Sequence, residues 1–168
     1  MPSLIIVRGN SGSGKSSVAE GLRAAYGPGV AWIEQDHVRR MIFAELDQPD
    51  GANIAAIEQL AVLAMSRGFS TVVEGIMPTA RYGEMLTRLT SAYAGSAHVF
   101  YLDVPFEEAS RRHLTRAKAS AFSVEEMRTW YHERDLLGQP GERVIDQTSS
   151  LRQTIETIAG IAGLQRVC

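Results

Sequence analysis

Apolar residues along this chain fall into short continuous runs, separated by longer stretches with a three- to four-residue repeat. The first run, Leu4-Ile5-Ile6-Val7, is unbroken rather than alternating, which marks a strand buried on both faces. A helix is expected from about Lys15 to Tyr26, closed by Gly27-Pro28-Gly29, with a second strand from Val30 to Glu34. Helical pattern resumes from Asp36 to Leu46 and is broken by Asp47-Gln48-Pro49-Asp50-Gly51. The next helix aligns Ile54, Ile57, Leu60, Ala61 and Ala64 on one face and stops at Gly68. Ser70 to Glu74 and Ala97 to Asp103 read as the third and fourth strands, flanking a helix from Tyr82 to Tyr93. Pro105 suits the first turn of a helix reaching about Thr115. Ser123 and Glu126 have capping-box spacing for another, through Met127 and Trp130 to Leu137. Arg143-Val144-Ile145 is a short fifth strand. The last helix, about Leu151 to Gly163, carries Ile155, Ile158 and Ile161 as its core stripe. This alternation predicts a three-layer α/β fold around a five-stranded parallel sheet.

Composition narrows the setting. The 168 residues suffice for one domain, 1–168, with a sizeable core. A net charge of -2 provides no positive field for nucleic acid or an anionic membrane, so neither is expected as a partner. Cys168 is the only cysteine, which excludes a disulfide within one chain and points to the cytoplasm. The start of the chain has no signal-peptide pattern, and no stretch approaches the roughly 20 apolar residues that cross a bilayer.

Between the first strand and the first helix stands Gly9-Asn10-Ser11-Gly12-Ser13-Gly14-Lys15-Ser16, which fits G-x-x-x-x-G-K-[ST] at every fixed position. Glycines let the backbone turn its N–H groups inward around an anion, and the helix beginning near Lys15 adds its positive end. The residues from Asn10 to Ser17 are therefore candidates for binding the phosphates of a nucleoside triphosphate, taken to be ATP. Lys15 reaches the β- and γ-phosphates, and the Ser16 hydroxyl is a ligand for Mg²⁺. The expected architecture is thus a P-loop NTPase fold. The loop alone does not separate kinases from GTPases or ATPase motors.

Further chemistry gathers at strand ends. In an open parallel sheet the carboxyl ends of the strands face the ligand crevice, which brings Asp36 near the γ-phosphate. Capping of the following helix is the competing use of Asp36, and a solvated helix face that of Arg39 and Arg40. Glu74 ends the third strand, as a metal or acceptor contact or as the partner of a nearby arginine. Arg112 and Arg116 are four apart on one helical face, suited either to a nucleotide or to an exposed basic helix end.

With the phosphate loop, Asp36-x-x-Arg39, Glu74 and the Arg112/Arg116 pair, the chain resembles the small P-loop kinases of the adenylate-kinase-like branch. It is most similar to the chloramphenicol phosphotransferase and zeta-toxin type. The resemblance implies Asp36 as the base for an acceptor hydroxyl, with Arg39 holding the acceptor. It implies Glu74 as a contact to the acceptor or, through water, to Mg²⁺. Arg112 would then pack on adenine and Arg116 touch phosphate in the transition state. The acceptor segment would span about 36–68 and a short lid about 112–128, with Lys118 in it, and Gln147 to Ser150 beside the base. A lid that short has no cysteine or histidine set for zinc.

The function expected is ATP- and Mg²⁺-dependent phosphorylation of a hydroxyl on a small molecule. A nucleoside monophosphate kinase is the nearest alternative, with Arg39, Arg40 and Arg81 available for an acceptor phosphate. Asp36 and Glu74 would repel that phosphate. A nucleotide-dependent switch or ATPase module acting through a partner protein is the alternative of another class. The third strand ends in Glu74 rather than the aspartate of a Walker B run. Oligomeric state and acceptor identity stay open.

Overall fold

A computed structural model describes residues 1–114 and 123–165. Five strands, β1 (Leu4–Gly9), β2 (Val30–Glu34), β3 (Ser70–Gly75), β4 (Ala97–Asp103) and β5 (Arg143–Asp146), form one sheet in the order β2-β3-β1-β4-β5. Every pairing is parallel. All carboxyl ends therefore open on the same side, where the loops carry the candidate chemistry.

The side-chain alternation of β1 explains the layers. Leu4 and Ile6 enter one core with Ile54, Ile57 and Leu86, and Ile5 and Val7 enter the other with Val18, Leu22 and Ile158. Helices α1 (Lys15–Tyr26) and α7 (Leu151–Ala162) thus cover one face of the sheet, and α3 (Ala52–Ser66) and α4 (Thr79–Ala92) the other. Among the described residues no helix is long and apolar enough to cross a membrane.

The strand bounds agree with the sequence to within two residues, β1 running on from Val7 to Gly9, but two helices are shorter than expected. The segment after β2 is helical only over α2 (Gln35–His37) and a π-helical turn, Val38–Ile42, and does not reach Leu46. Ala44 and Asp50 have positive φ, and Arg39 donates to the carbonyl oxygen of Glu45 at 3.1 Å, which folds residues 43–51 back as a loop. The Glu45 carboxylate then accepts from the backbone N–H groups of Ala52 (3.1 Å) and Asn53 (2.6 Å), capping α3 from outside.

Helix α6 (Val124–Thr129) opens on the expected Ser123–Glu126 capping box yet stops well before Leu137, because Asn10 engages the backbone of His132 and Arg8 the side chain of Asp135. Helix α5 spans Phe106–Leu114. Two core stripes also differ. In α3 the inward face is Ile54, Ile57, Ala61 and Met65, and Leu60 turns outward. In α7 only Ile158 of the three isoleucines is fully inside, joined by Ala159 and Ala162.

Candidate active site

The phosphate loop leaves β1 at Gly9 and enters α1 at Lys15. Gly12 has φ +78, and a Cβ there would stand 2.6 Å from the carbonyl oxygen of Ala109. Only glycine fits that contact with α5. Gly14 precedes α1 in left-handed conformation (φ 102), and no side chain caps the helix, so its first N–H groups stay turned to the loop. Lys15 is buried, and its ammonium donates to the backbone oxygen of Asn10 at 2.8 Å, across the mouth of the loop. Gly12 and Ser13 are buried, Ser11, Gly14 and Ser17 half-buried, and Ser16 exposed.

Beside this cradle lies Glu74, 1% exposed. Burial pushes its carboxyl above the usual carboxylate value, against the pull of the Lys15 ammonium and the Ser16 and Trp32 side chains. Glu34, its register partner on β2, adds to the rise by repulsion. No arginine pairs with Glu74 among the described residues, and its Oε1 is buried without a hydrogen-bond partner. A buried carboxylate oxygen next to the Ser16 hydroxyl is a donor set that fits a hard cation or its water.

That burial has a measurable consequence. The folded carboxyl holds its proton to higher pH than the unfolded one, so this group makes stability fall as pH rises from about 4.5. Glu74→Gln is expected to raise the melting temperature at neutral pH and to flatten its pH dependence, scored by calorimetry across pH. A variant less stable than the wild type at neutral pH would contradict this account.

Asp36 lies in the first turn past β2, 44% exposed at its side chain. It caps no helix. Its Oδ1 accepts from Arg39 (2.9 Å) and from Arg40 (2.7 Å), so both arginines draw on one oxygen and Oδ2 stays clear of them. Arg81, one of the three arginines available to a phosphorylated acceptor, is paired with Asp47. Asp47 also accepts from the Tyr82 hydroxyl at 2.8 Å, and that hydroxyl meets Gln35 and Asn53. Burial and Asp47 together push the Tyr82 phenol well above its usual range.

On the other side of the loop, a cleft of about 330 Å³ brings Arg112 together with Ser13, Ser17 and the turn from Gln147 to Ser150. Arg112 is steadied by Glu108 at 2.7 Å. Two guanidinium groups, Arg111 and Arg112, bring the Glu108 carboxyl down to about 2. Arg116 and Lys118 lie outside the described residues.

One cluster had not been foreseen. Arg8, the last side chain of β1 before the loop, is fully buried. It donates to the carbonyl oxygen of Met77 (3.1 and 2.9 Å), to Thr79 Oγ1 (2.9 Å) and to Asp135 Oδ2 (2.8 Å). Burial lowers the Arg8 pKa, and the Asp135 and Glu142 carboxylates work against that. Asn10, expected at the phosphates, directs its side chain to His132, donating to the carbonyl (2.6 Å) and accepting from the N–H (2.9 Å). Tyr101 sits between them, its hydroxyl accepting from Asp135 N–H at 3.3 Å and its pKa pushed up by burial to about 12. The chain returning from α6 is thereby fastened to the base of the phosphate loop. An arginine closing an otherwise apolar buried strand was the available signal.

Set against known proteins, residues 4–133 match the model of the AAA domain family, and the chain belongs to that family. No curated protein matches its sequence. Among solved structures, a sugar kinase from Janibacter sp. HTCC2649 superimposes with a TM-score of 0.70 at 17% identity, covering 98% of this chain and 96% of that one. The tunicamycin resistance protein of Deinococcus radiodurans gives 0.66 at 21%, covering 98% of both chains. The APS kinase of Mycobacterium tuberculosis, solved with AMPPNP and APS, gives 0.63 at 18%, over 97% and 96%. At such identities the likeness is one of fold. It is the α/β fold of P-loop small-molecule kinases.

Proposed function

We propose that the protein transfers the γ-phosphoryl group of ATP to a hydroxyl of a small molecule. The observation that carries this reading is the phosphate cradle of Gly9–Ser16 with Lys15 and the buried Glu74 beside it, in register with Glu34, two residues before Asp36, on the neighbouring strand. The kinases among its fold relatives support the same reaction class.

In the reaction, the acceptor oxygen forms a bond to the γ-phosphorus while the bond to the β,γ-bridging oxygen breaks and ADP departs. Asp36 takes the hydroxyl proton through Oδ2, the oxygen its arginines leave clear. Arg39, pinned by Asp36 and Glu45, borders the acceptor. Lys15 draws charge from the transferring group, as Arg116 does by resemblance. Ser16, with Glu74 directly or through water, would hold Mg²⁺, which neutralises phosphate charge when bound. Arg112 and the 147–150 turn would enclose the nucleoside.

The arrangement of cations argues against a phosphorylated acceptor. Arg39 and Arg40 are paired with Asp36 and Arg81 with Asp47, so the positive charge a monophosphate would meet is already partly neutralised.

The test is Mg-ATP consumption against a panel of alcohols, sugars, nucleosides and monophosphates, with Asp36→Asn alongside. ADP release that depends on a hydroxyl acceptor is expected, falling about 10²–10⁴-fold in the variant while ATP binding persists. Wild-type turnover by Asp36→Asn with the same acceptor would remove Asp36 as base.

A further inference from the structure

Helices α3 and α4 meet through apolar side chains, with a polar pair set among them. Tyr82 of α4 is fully buried, in one core with Ile54, Ile57, Met85 and Leu86. Asn53 of α3 is fully buried beside it, and its Oδ1 accepts from the Tyr82 hydroxyl at 3.0 Å. Apolar side chains would fill the same space, and a buried polar group is costly unless it is hydrogen-bonded. Where the bonds of this pair lead is therefore informative.

They lead to Asp36 from both sides. Gln35, the residue before it, is 5% exposed and donates through Nε2 to the Tyr82 hydroxyl at 2.9 Å. A Cβ on Gly75 would stand 2.6 Å from the Gln35 Cβ, so the start of α2 is seated on the residue that follows Glu74. From the other side, Asn53 Nδ2 donates to Glu45 Oε1 at 2.7 Å. The Glu45 backbone oxygen accepts from Arg39 Nη1 at 3.1 Å, and Arg39 Nη2 donates to Asp36 Oδ1 at 2.9 Å. The bonds close a circuit, from Asp36 through Arg39, Glu45, Asn53 and Tyr82 to Gln35, which is covalently joined to Asp36.

The directions around the circuit are fixed. Asn53 turns its amide nitrogen to a carboxylate, which only accepts, so its oxygen must face Tyr82. The Tyr82 hydroxyl accepts from Gln35 and places its own proton between Asn53 Oδ1 and Asp47 Oδ1. Asp36, by contrast, is 44% exposed at its side chain and lies where α2 passes into the π-helical turn. Its own packing holds it little, and a catalytic group must be held to within about 0.5 Å of its productive place.

We propose that Tyr82 is a positioning residue, fixing the Asp36 carboxylate and Arg39 against the end of β3 through Gln35 on one side and through Asn53 and Glu45 on the other. Its bearing on turnover rests on Asp36 being the base. Tyr82 touches no reacting atom and acts through the circuit.

Tyr82→Phe keeps the aromatic packing and removes the hydroxyl. With a hydroxyl acceptor that the wild type turns over, it is expected to lower kcat about 10–100-fold at unchanged KM for ATP. Added to Asp36→Asn it should cost less than about twofold more, since a misplaced base and a missing one are equally idle. Where Asp36→Asn is slow, a wild-type kcat in Tyr82→Phe or a fully additive loss in the double variant would overturn the assignment. Melting temperatures give a readout that needs no acceptor. Tyr82→Phe and Arg39→Met each open the circuit, so together they should lower the melting temperature by less than the sum of their single losses. Additive losses there would also overturn it. Wild-type turnover by Asp36→Asn would remove Asp36 as base, and the melting cycle then decides alone whether Tyr82 holds the turn.

Discussion

Replacement of Lys15 by methionine is expected to lower ATP-dependent transfer about 10²–10³-fold, with a folded protein left behind. The ammonium is the cation built into the phosphate loop, held at 2.8 Å from the backbone oxygen of Asn10 and 3.5 Å from Ser13 Oγ. Methionine keeps the length of the side chain and its packing but brings no charge to the γ-phosphate. A second consequence follows from Glu74, which loses the charge that opposes its burial and holds its proton still more firmly. If Glu74 holds Mg²⁺ as proposed, a carboxyl that keeps its proton is a poorer ligand, which would compound the loss of the lysine. Steady-state rates, equilibrium ATP binding and a melting curve for the same preparation separate these effects. A variant that turns over at the wild-type rate would remove Lys15 from the chemistry.

The largest effect on stability is expected at Arg8. Arg8→Met should destabilise the fold by about 3–5 kcal/mol, the cost typical of breaking a buried ion pair from one side. The reason lies in what is left behind. Asp135, Glu142, Thr79 and the Met77 carbonyl all converge on the guanidinium, and methionine returns neither the hydrogen bonds of Asp135, Thr79 and Met77 nor a charge for Glu142. Asp135 would keep its bond from the Thr79 N–H at 2.8 Å, but without a counter-charge. For a chain of this length the melting temperature would fall by about 6–20 °C. Asp135→Asn, which preserves an acceptor for Arg8 and is 25% exposed, is expected to cost less. Denaturant unfolding of both variants measures the difference. A loss below about 1 kcal/mol for Arg8→Met would mean that the cluster does not hold the loop's foundation together.

The same residues show what the sequence could and could not express. Unbroken apolar runs and glycine breaks define β1 to β4 and α1, because burial on both faces leaves a local signature. The phosphate loop is legible for the same reason: its glycines, lysine and serine act over eight consecutive positions. The Ser123–Glu126 box is likewise local and is found.

Long-range polar contacts leave no such trace. Nothing near Asn10 in the chain announces His132, yet that contact occupies the Asn10 side chain and accompanies the end of the helical path after Thr129. Glu45 and Asp47 look like loop residues, whereas one caps α3 and the other restrains Arg81 and Tyr82. Asp36 stands just past the end of β2, as its place in the sequence implies, but the sharing of its Oδ1 by two arginines needs the curled backbone of the π-turn. Leu60 falls at a helical spacing that fits the core-facing stripe of α3, yet it stands on the flank of that stripe and is 40% exposed.

The bond from Lys15 to the Asn10 carbonyl has one more consequence. It braces the loop in its curled form from within, together with the bond from Ser13 N–H to the same oxygen at 3.2 Å. A polyphosphate therefore meets a receptor already in shape. Binding trades one acceptor of the ammonium for another rather than ordering a slack segment, and little conformational entropy is lost at the moment of capture. Rigidity that serves the resting loop is then also affinity held in reserve for the nucleotide.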